Sequence, residues 1–113
     1  MMIERMWEHA GMVCALRHGA FGAPCGYVFV PEGHPLYSDS HLDAKDELDV
    51  HGGVTFTGVL EEDPGLGWAV GFDMAHSFDV EYSILGVYCI RSDEECVEET
   101  NRLAEQLAER GER

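Results

Sequence analysis

Apolar residues come in short blocks through the first ninety positions and then switch to helical spacing. Residues 11–18 (Gly-Met-Val-Cys-Ala-Leu-Arg-His) and 25–31 (Cys-Gly-Tyr-Val-Phe-Val-Pro) both read as strands. The Gly-Ala-Phe-Gly-Ala-Pro between them is a turn, so the two predict a hairpin, and Pro31 ends its second strand. Residues 32–50 are polar, with Gly33, Pro35 and several Asp, and read as a long loop. A loop of that length without structure of its own is often functional.

Residues 53–59 (Gly-Val-Thr-Phe-Thr-Gly-Val) and 67–73 (Gly-Trp-Ala-Val-Gly-Phe-Asp) read as a second hairpin, linked by Leu60–Leu66 with its Glu-Glu-Asp-Pro-Gly. If one face is apolar, Val54 and Phe56 share it with Trp68, Val70 and Phe72. The register that achieves this pairs Val54 with Phe72, Phe56 with Val70 and Gly58 with Trp68, and Gly58 leaves room for the indole. Residues 74–85 carry no clear pattern, and 86–90 (Gly-Val-Tyr-Cys-Ile) fit a fifth strand.

The last element is plain. Ser92 followed by Glu95 forms a capping box, and Asp93 and Glu94 favour the positive end of a helix. Cys96, Thr100, Leu103 and Leu107 follow at helical spacing, widened by Val97, Ala104 and Ala108, and Arg110 and Gly111 suit a C-terminus. With 113 residues and no linker or repeat, the expectation is one domain over 1–113. It is an α+β fold, with an antiparallel sheet of four to five strands built from two hairpins and a C-terminal amphipathic helix packed on one face.

Charge narrows the function. The chain has 22 acids against 7 Lys plus Arg, a formal −15. Phosphate binding needs clustered basic residues, so direct nucleic-acid binding is excluded, and adhesion to anionic membranes is disfavoured. No apolar run approaches the ~20 residues of a membrane span, and the Met-Met-Ile-Glu-Arg-Met-Trp-Glu start does not read as a secretory signal. The field is local. Residues 32–81 hold twelve acids and one base, net −11. Asp39, Asp43, Asp46, Glu47 and Asp49 are densest, followed by Glu61, Glu62 and Asp63. These eight are the candidate surface for a basic partner, either a nucleic-acid-binding protein or a cation, and solubility alone is the alternative.

The chosen register also makes a site. It places His51, Asp73 and His76 at the open end of the second hairpin, with Gly52 and Gly53 permitting close approach and His34 or His41 able to fold over it. Two histidines and a carboxylate suit zinc or another divalent metal. They equally suit a base and the group that orients it, or a buried hydrogen-bonded network. Cys14, Cys25, Cys89 and Cys96 lack Cys-x-x-Cys spacing and read as free, buried thiols. No Gly-x-Ser-x-Gly elbow or P-loop is present.

His51-Gly-Gly-Val-Thr-Phe56, Trp68-Ala-Val-Gly-Phe-Asp-Met-Ala-His76 and Glu99-Thr-Asn-Arg-Leu-Ala-Glu-Gln-Leu107 together resemble a group of small proteins encoded by bacteriophages and prophages. The Gly26-Tyr-Val and Pro31-Glu-Gly-His-Pro-Leu36 pieces are similar too, so the resemblance covers most of residues 7–108. After His76 the chain reads Ser-Phe-Asp-Val, departing from the group's Gly-Asp-containing continuation. The resemblance implies an accessory protein working in the cytoplasm of a bacterial host cell. Small acidic phage-type proteins commonly block host machinery, so an anti-CRISPR-like inhibitor of a basic host protein or nucleoprotein complex is expected. The alternatives are a metal-binding protein or metal-dependent enzyme using His51, Asp73 and His76, and a structural or regulatory domain without a site.

Overall fold

The computed structural model describes residues 2–39 and 48–111. The fold is α+β. Strands β1 (Arg5–His9), β2 (Met12–His18), β3 (Pro24–Phe29), β4 (Phe56–Val59) and β5 (Trp68–Asp73) form one antiparallel sheet in the order β1-β2-β3-β5-β4. β6 (Val80–Ser83) and β7 (Gly86–Cys89) pair with each other as a separate hairpin. The helix α1 (Asp93–Gly111) closes the chain.

The first hairpin forms as its sequence predicts, with Cys14 opposite Val28 and Leu16 opposite Gly26. An additional strand, β1, precedes it. His9 pairs with Met12 across Ala10-Gly11, and both turn residues have positive φ, 53° and 76°. That is the two-residue turn whose twist matches a hairpin, which glycine adopts freely and alanine only at a cost. The fifth strand of the sheet is therefore β1, while residues 86–89 belong to the separate hairpin.

α1 lies across the face bearing Cys14, Leu16, Val28, Val70 and Phe72, and buries Cys96, Leu103, Ala104 and Leu107 there. Gly26 lets it approach, since a Cβ there would fall 2.1 Å from Thr100 Oγ1. The capping box forms: Ser92 Oγ accepts the Glu95 N–H at 3.1 Å, and Glu95 Oε1 accepts the Ser92 N–H at 3.4 Å. At the other end His34 is buried, accepting the Leu36 N–H at Nδ1 and donating from Nε2 to the Leu107 carbonyl at 2.7 Å. It gives a carbonyl near the end of the helix, which has a second lone pair, a side-chain donor.

The second hairpin differs from expectation by one residue of register. Phe56 pairs with Gly71, Thr57 with Val70, Gly58 with Ala69 and Val59 with Trp68. Val54 still packs with the helix-side core, but Phe56 is on the opposite face, edge-to-face on Tyr27 at 5.7 Å. The physical reason is a second apolar layer. Ala15, Cys25, Tyr27, Phe29, Leu60 and Ala69 are buried beneath the sheet, joined by Ile3, Phe56 and Leu66. Both faces of the sheet carry an apolar layer, so an aromatic residue on either one is at least half-buried.

Arg17 belongs to this second layer. Its guanidinium lies 4.8 Å from the Tyr27 ring centroid, donates to Tyr27 Oη at 3.0 Å and pairs with Glu62 at 3.0 Å. Cys14, Cys25 and Cys96 are buried free thiols and Cys89 is half-buried. Burial pushes the Cys14 thiol up to about 11 and that of Cys96 up to about 12.

Candidate functional site

One glycine-permitted turn and one short 3-10 turn bring the site together. Val50 and Gly53 close a turn, the Gly53 N–H donating to the Val50 carbonyl at 2.8 Å, with Gly52 at φ +70°. That turn presents His51, whose backbone N–H donates to Glu99 of α1 at 2.9 Å. On the other side β5 ends at Asp73, and a short 3-10 turn, Ser77–Asp79, leads into β6. The turn carries Asp79 back beneath His76, which donates its backbone N–H to Asp79 Oδ2 at 3.1 Å.

Asp79 is fully buried and collects four donors. His51 Nε2 lies 2.7 Å from Oδ1, Arg91 Nε donates to the same oxygen at 2.6 Å, and His76 Nδ1 lies 3.1 Å from Oδ2 beside its own N–H. Burial on its own would raise the Asp79 pKa. The hydrogen bonds from Arg91, His76 and His51 outweigh it and hold the carboxyl below its usual range. With the carboxylate ionised, His51 presents an Nε2–H to it and His76 an Nδ1–H.

The imidazole of His76 is clamped. Phe78 stacks on it at 5.2 Å with planes 5° apart, and a Cβ on Gly52 would fall 2.2 Å from its Cε1. Gly52 is therefore needed both for its positive φ and for this contact.

His51 and His76 meet as the sequence predicts, but the carboxylate between them is Asp79 and not Asp73. Asp73 Oδ1 accepts the Ala75 N–H and Oδ2 the Thr55 hydroxyl, each at 3.0 Å, and Oδ1 stays 4.0 Å from His76. It ties the chain entering β4 to the end of β5. The missed signal is His76-x-x-Asp79, the spacing at which an acid accepts the backbone N–H of the residue that enters a turn three positions earlier. Arg91, brought in by the return of β7, has no such local signal. His34 serves the helix end instead, and His41 lies outside the described residues.

His51, His76 and Asp79 offer ligand atoms within 4.8 Å of one another, so the group could hold a metal ion. Its hydrogen bonding opposes one. All four lone-pair positions of Asp79 are engaged, one of them by a cation, so a metal would have to displace a proton and compete with Arg91. Among the described residues no hydroxyl or thiol hydrogen-bonds either imidazole, and Ser77 is exposed.

The predicted acidic surface is partly committed to ion pairs. Asp49 binds Arg102 at 2.7 Å and Glu62 binds Arg17. Glu61 and Asp63 are exposed, Asp39 is half-buried, and Asp43, Asp46 and Glu47 lie outside the described residues. No family model, curated protein or solved structure matches the chain. No helix among the described residues is long and apolar enough to cross a membrane.

Proposed function

We propose that the protein acts by binding a basic partner, in the manner of a phage-type accessory protein that occupies a host protein or nucleoprotein complex such as a CRISPR effector. The observation that carries this reading is where the positive charge goes. Arg5, Arg17, Arg91 and Arg102 are each held to an acid of the same chain, at 3.2, 3.0, 2.6 and 2.7 Å. An approaching molecule therefore meets the surplus carboxylates of a −15 chain, and few cations are available to offset them. The saturation of Asp79 weighs in the same direction, since it leaves the histidine pair better suited to tying loops together than to chemistry.

The test is capture from a bacterial host lysate. The wild-type chain is compared with one carrying Asp43→Asn, Asp46→Asn, Glu47→Gln and Asp49→Asn. Wild type should retain a basic protein or nucleoprotein at low salt and release it at high salt. At roughly 0.3–0.5 kcal/mol per charge, the neutralised chain should bind about tenfold more weakly with a flatter salt dependence. Equal, salt-independent retention by both chains would end the reading.

A second reading, a divalent ion such as zinc on His51, His76 and Asp79, is favoured by their mutual approach within 4.8 Å. Elemental analysis decides it. One ion per chain, lost in His76→Ala, supports it, and zinc-supplemented protein that stays metal-free, with stability unchanged by a chelator, removes it.

A further inference from the structure

The β6–β7 hairpin has a surface unlike the rest of the chain. Between Val80 and Cys89 there is one charged side chain, Glu81, whose carboxylate accepts the Tyr88 hydroxyl at 3.0 Å. Tyr82, Ile84 and Leu85 are 75, 103 and 94% exposed, and Phe78, Tyr88 and Ile90 flank them about half exposed. The turn does not require these residues. Two-residue hairpin tips favour Asn-Gly or Gly-containing pairs. Here Ser83 Oγ accepts the Leu85 N–H and donates to the Gly86 carbonyl, and Ile84 and Leu85 project unpacked. Among the described residues β6 pairs with β7 alone, which leaves its outer edge with unpaired backbone groups there.

We propose that this hairpin is a self-association arm: β6 and the Ile84-Leu85 tip pack against the same elements of a second copy about a two-fold axis. Three observations point to a second copy as the occupant. The arm is nearly charge-free on a chain of −15, so a like-charged molecule approaches it with little repulsion. Four residues per strand give an arm of about 13 Å, longer than the Debye length of about 8 Å at physiological salt, which keeps the two acidic bodies screened from each other. An antiparallel β6–β6 pairing centred on Tyr82 sets each Glu81 opposite a serine, not another acid. The area is adequate. Tyr82 is three-quarters exposed and Phe78 and Tyr88 about half, so at roughly 150–250 Å² for a whole aromatic side chain the three offer on the order of 350 Å², to which Ile84, Leu85 and Ile90 add towards the ~800 Å² that each partner buries in a standard interface.

Sedimentation of the full chain from micromolar to millimolar concentration tests this. A monomer–dimer equilibrium is expected, and it should tighten as salt rises from about 0.1 to 1 M and the Debye length falls from about 10 to 3 Å. Ile84→Ser with Leu85→Ser should weaken the dimer at least about tenfold, since each removes a buried aliphatic side chain from the interface. The unfolding midpoint should not change, because neither side chain packs within the monomer. Tyr82→Lys, on the β6 edge, should give the same loss without touching the tip. A monomer throughout overturns the proposal, as does a dimer indifferent to both variants or one that dissociates as salt is raised. Binding of a basic partner weakens with salt, so the two associations are separable in one titration.

Discussion

Asp79 shows how much one residue decides. It is a fully buried carboxylate that joins the 51–53 turn, the 77–79 turn and the end of β7 through His51, His76 and Arg91. Hydrogen bonds to a charged group contribute about 1.5–3 kcal/mol, and leaving their partners unsatisfied costs more than their net worth. Asp79→Asn keeps the shape but loses the charge and turns one acceptor into a donor facing a donor. It should cost about 2–3 kcal/mol in urea unfolding at neutral pH. The pH dependence follows from the depressed carboxyl. A folded-state pKa below the unfolded one gives stability that is present above the ordinary Asp range and lost as pH falls through the folded value. The gap between wild type and Asp79→Asn should therefore close on acidification. A gap that is constant with pH would mean that packing, not ionisation, sets the cost. Asp73 was the legible carboxylate because it ends a recognisable strand, whereas Asp79 sits in a stretch with no periodic pattern. Only its three-residue spacing from His76 marks it.

At the level of elements, local chemistry was readable and the partition between faces was not. The helix follows from its capping box and its Cys96-Thr100-Leu103-Leu107 stripe, both of which form. The first hairpin follows from two apolar runs around a glycine-rich turn. β1 escapes notice because Arg5, Glu8 and His9 dilute its apolar content and because its turn uses Ala10 at positive φ in place of Asn or Asp. Its pattern becomes intelligible beside α1. Arg5, Trp7 and His9 alternate onto one side and meet Glu94, Asn101 and Glu105 at 3.2, 2.7 and 2.6 Å. Two successive two-residue steps along the strand thus meet helix steps of about two turns and then about one. The register of the second hairpin fails for a different reason. Alternation fixes register only when one face is solvated. Here Phe56 is covered by Tyr27 on the far face while Val54, Val70 and Phe72 serve the near one. Two covered faces make both registers apolar, and the sequence alone does not separate them.

Across the whole molecule the surplus of acids and the elements they join meet at His18. It sits at the end of β2, with Nδ1 against Glu4 ahead of β1 and Nε2 2.7 Å from Asp93 at the start of α1. One imidazole therefore joins the N-terminal segment, the sheet and the helix, and as a cation it also offsets two carboxylates of a −15 chain. The hydrogen bonds to Glu4 and then Asp93 raise its pKa, outweighing burial. A folded-state pKa above the unfolded one gives stability that is complete below the ordinary histidine value of about 6.5 and is lost as pH rises through the folded value. Loss of this charge also adds to the repulsion among the remaining acids, so both effects act in the same direction. Stability should be greatest on the acid side of neutrality, between the carboxylate range and the histidine range, and should decline towards pH 8. His18→Gln keeps a neutral hydrogen-bonding side chain without the titration. It should be less stable than wild type at pH 6, by no more than about 1 kcal/mol given the side chain's partial exposure, and nearly equal at pH 8. Urea midpoints at the two pH values measure this, and an unchanged alkaline decline in His18→Gln would move the cause from His18 to general charge repulsion.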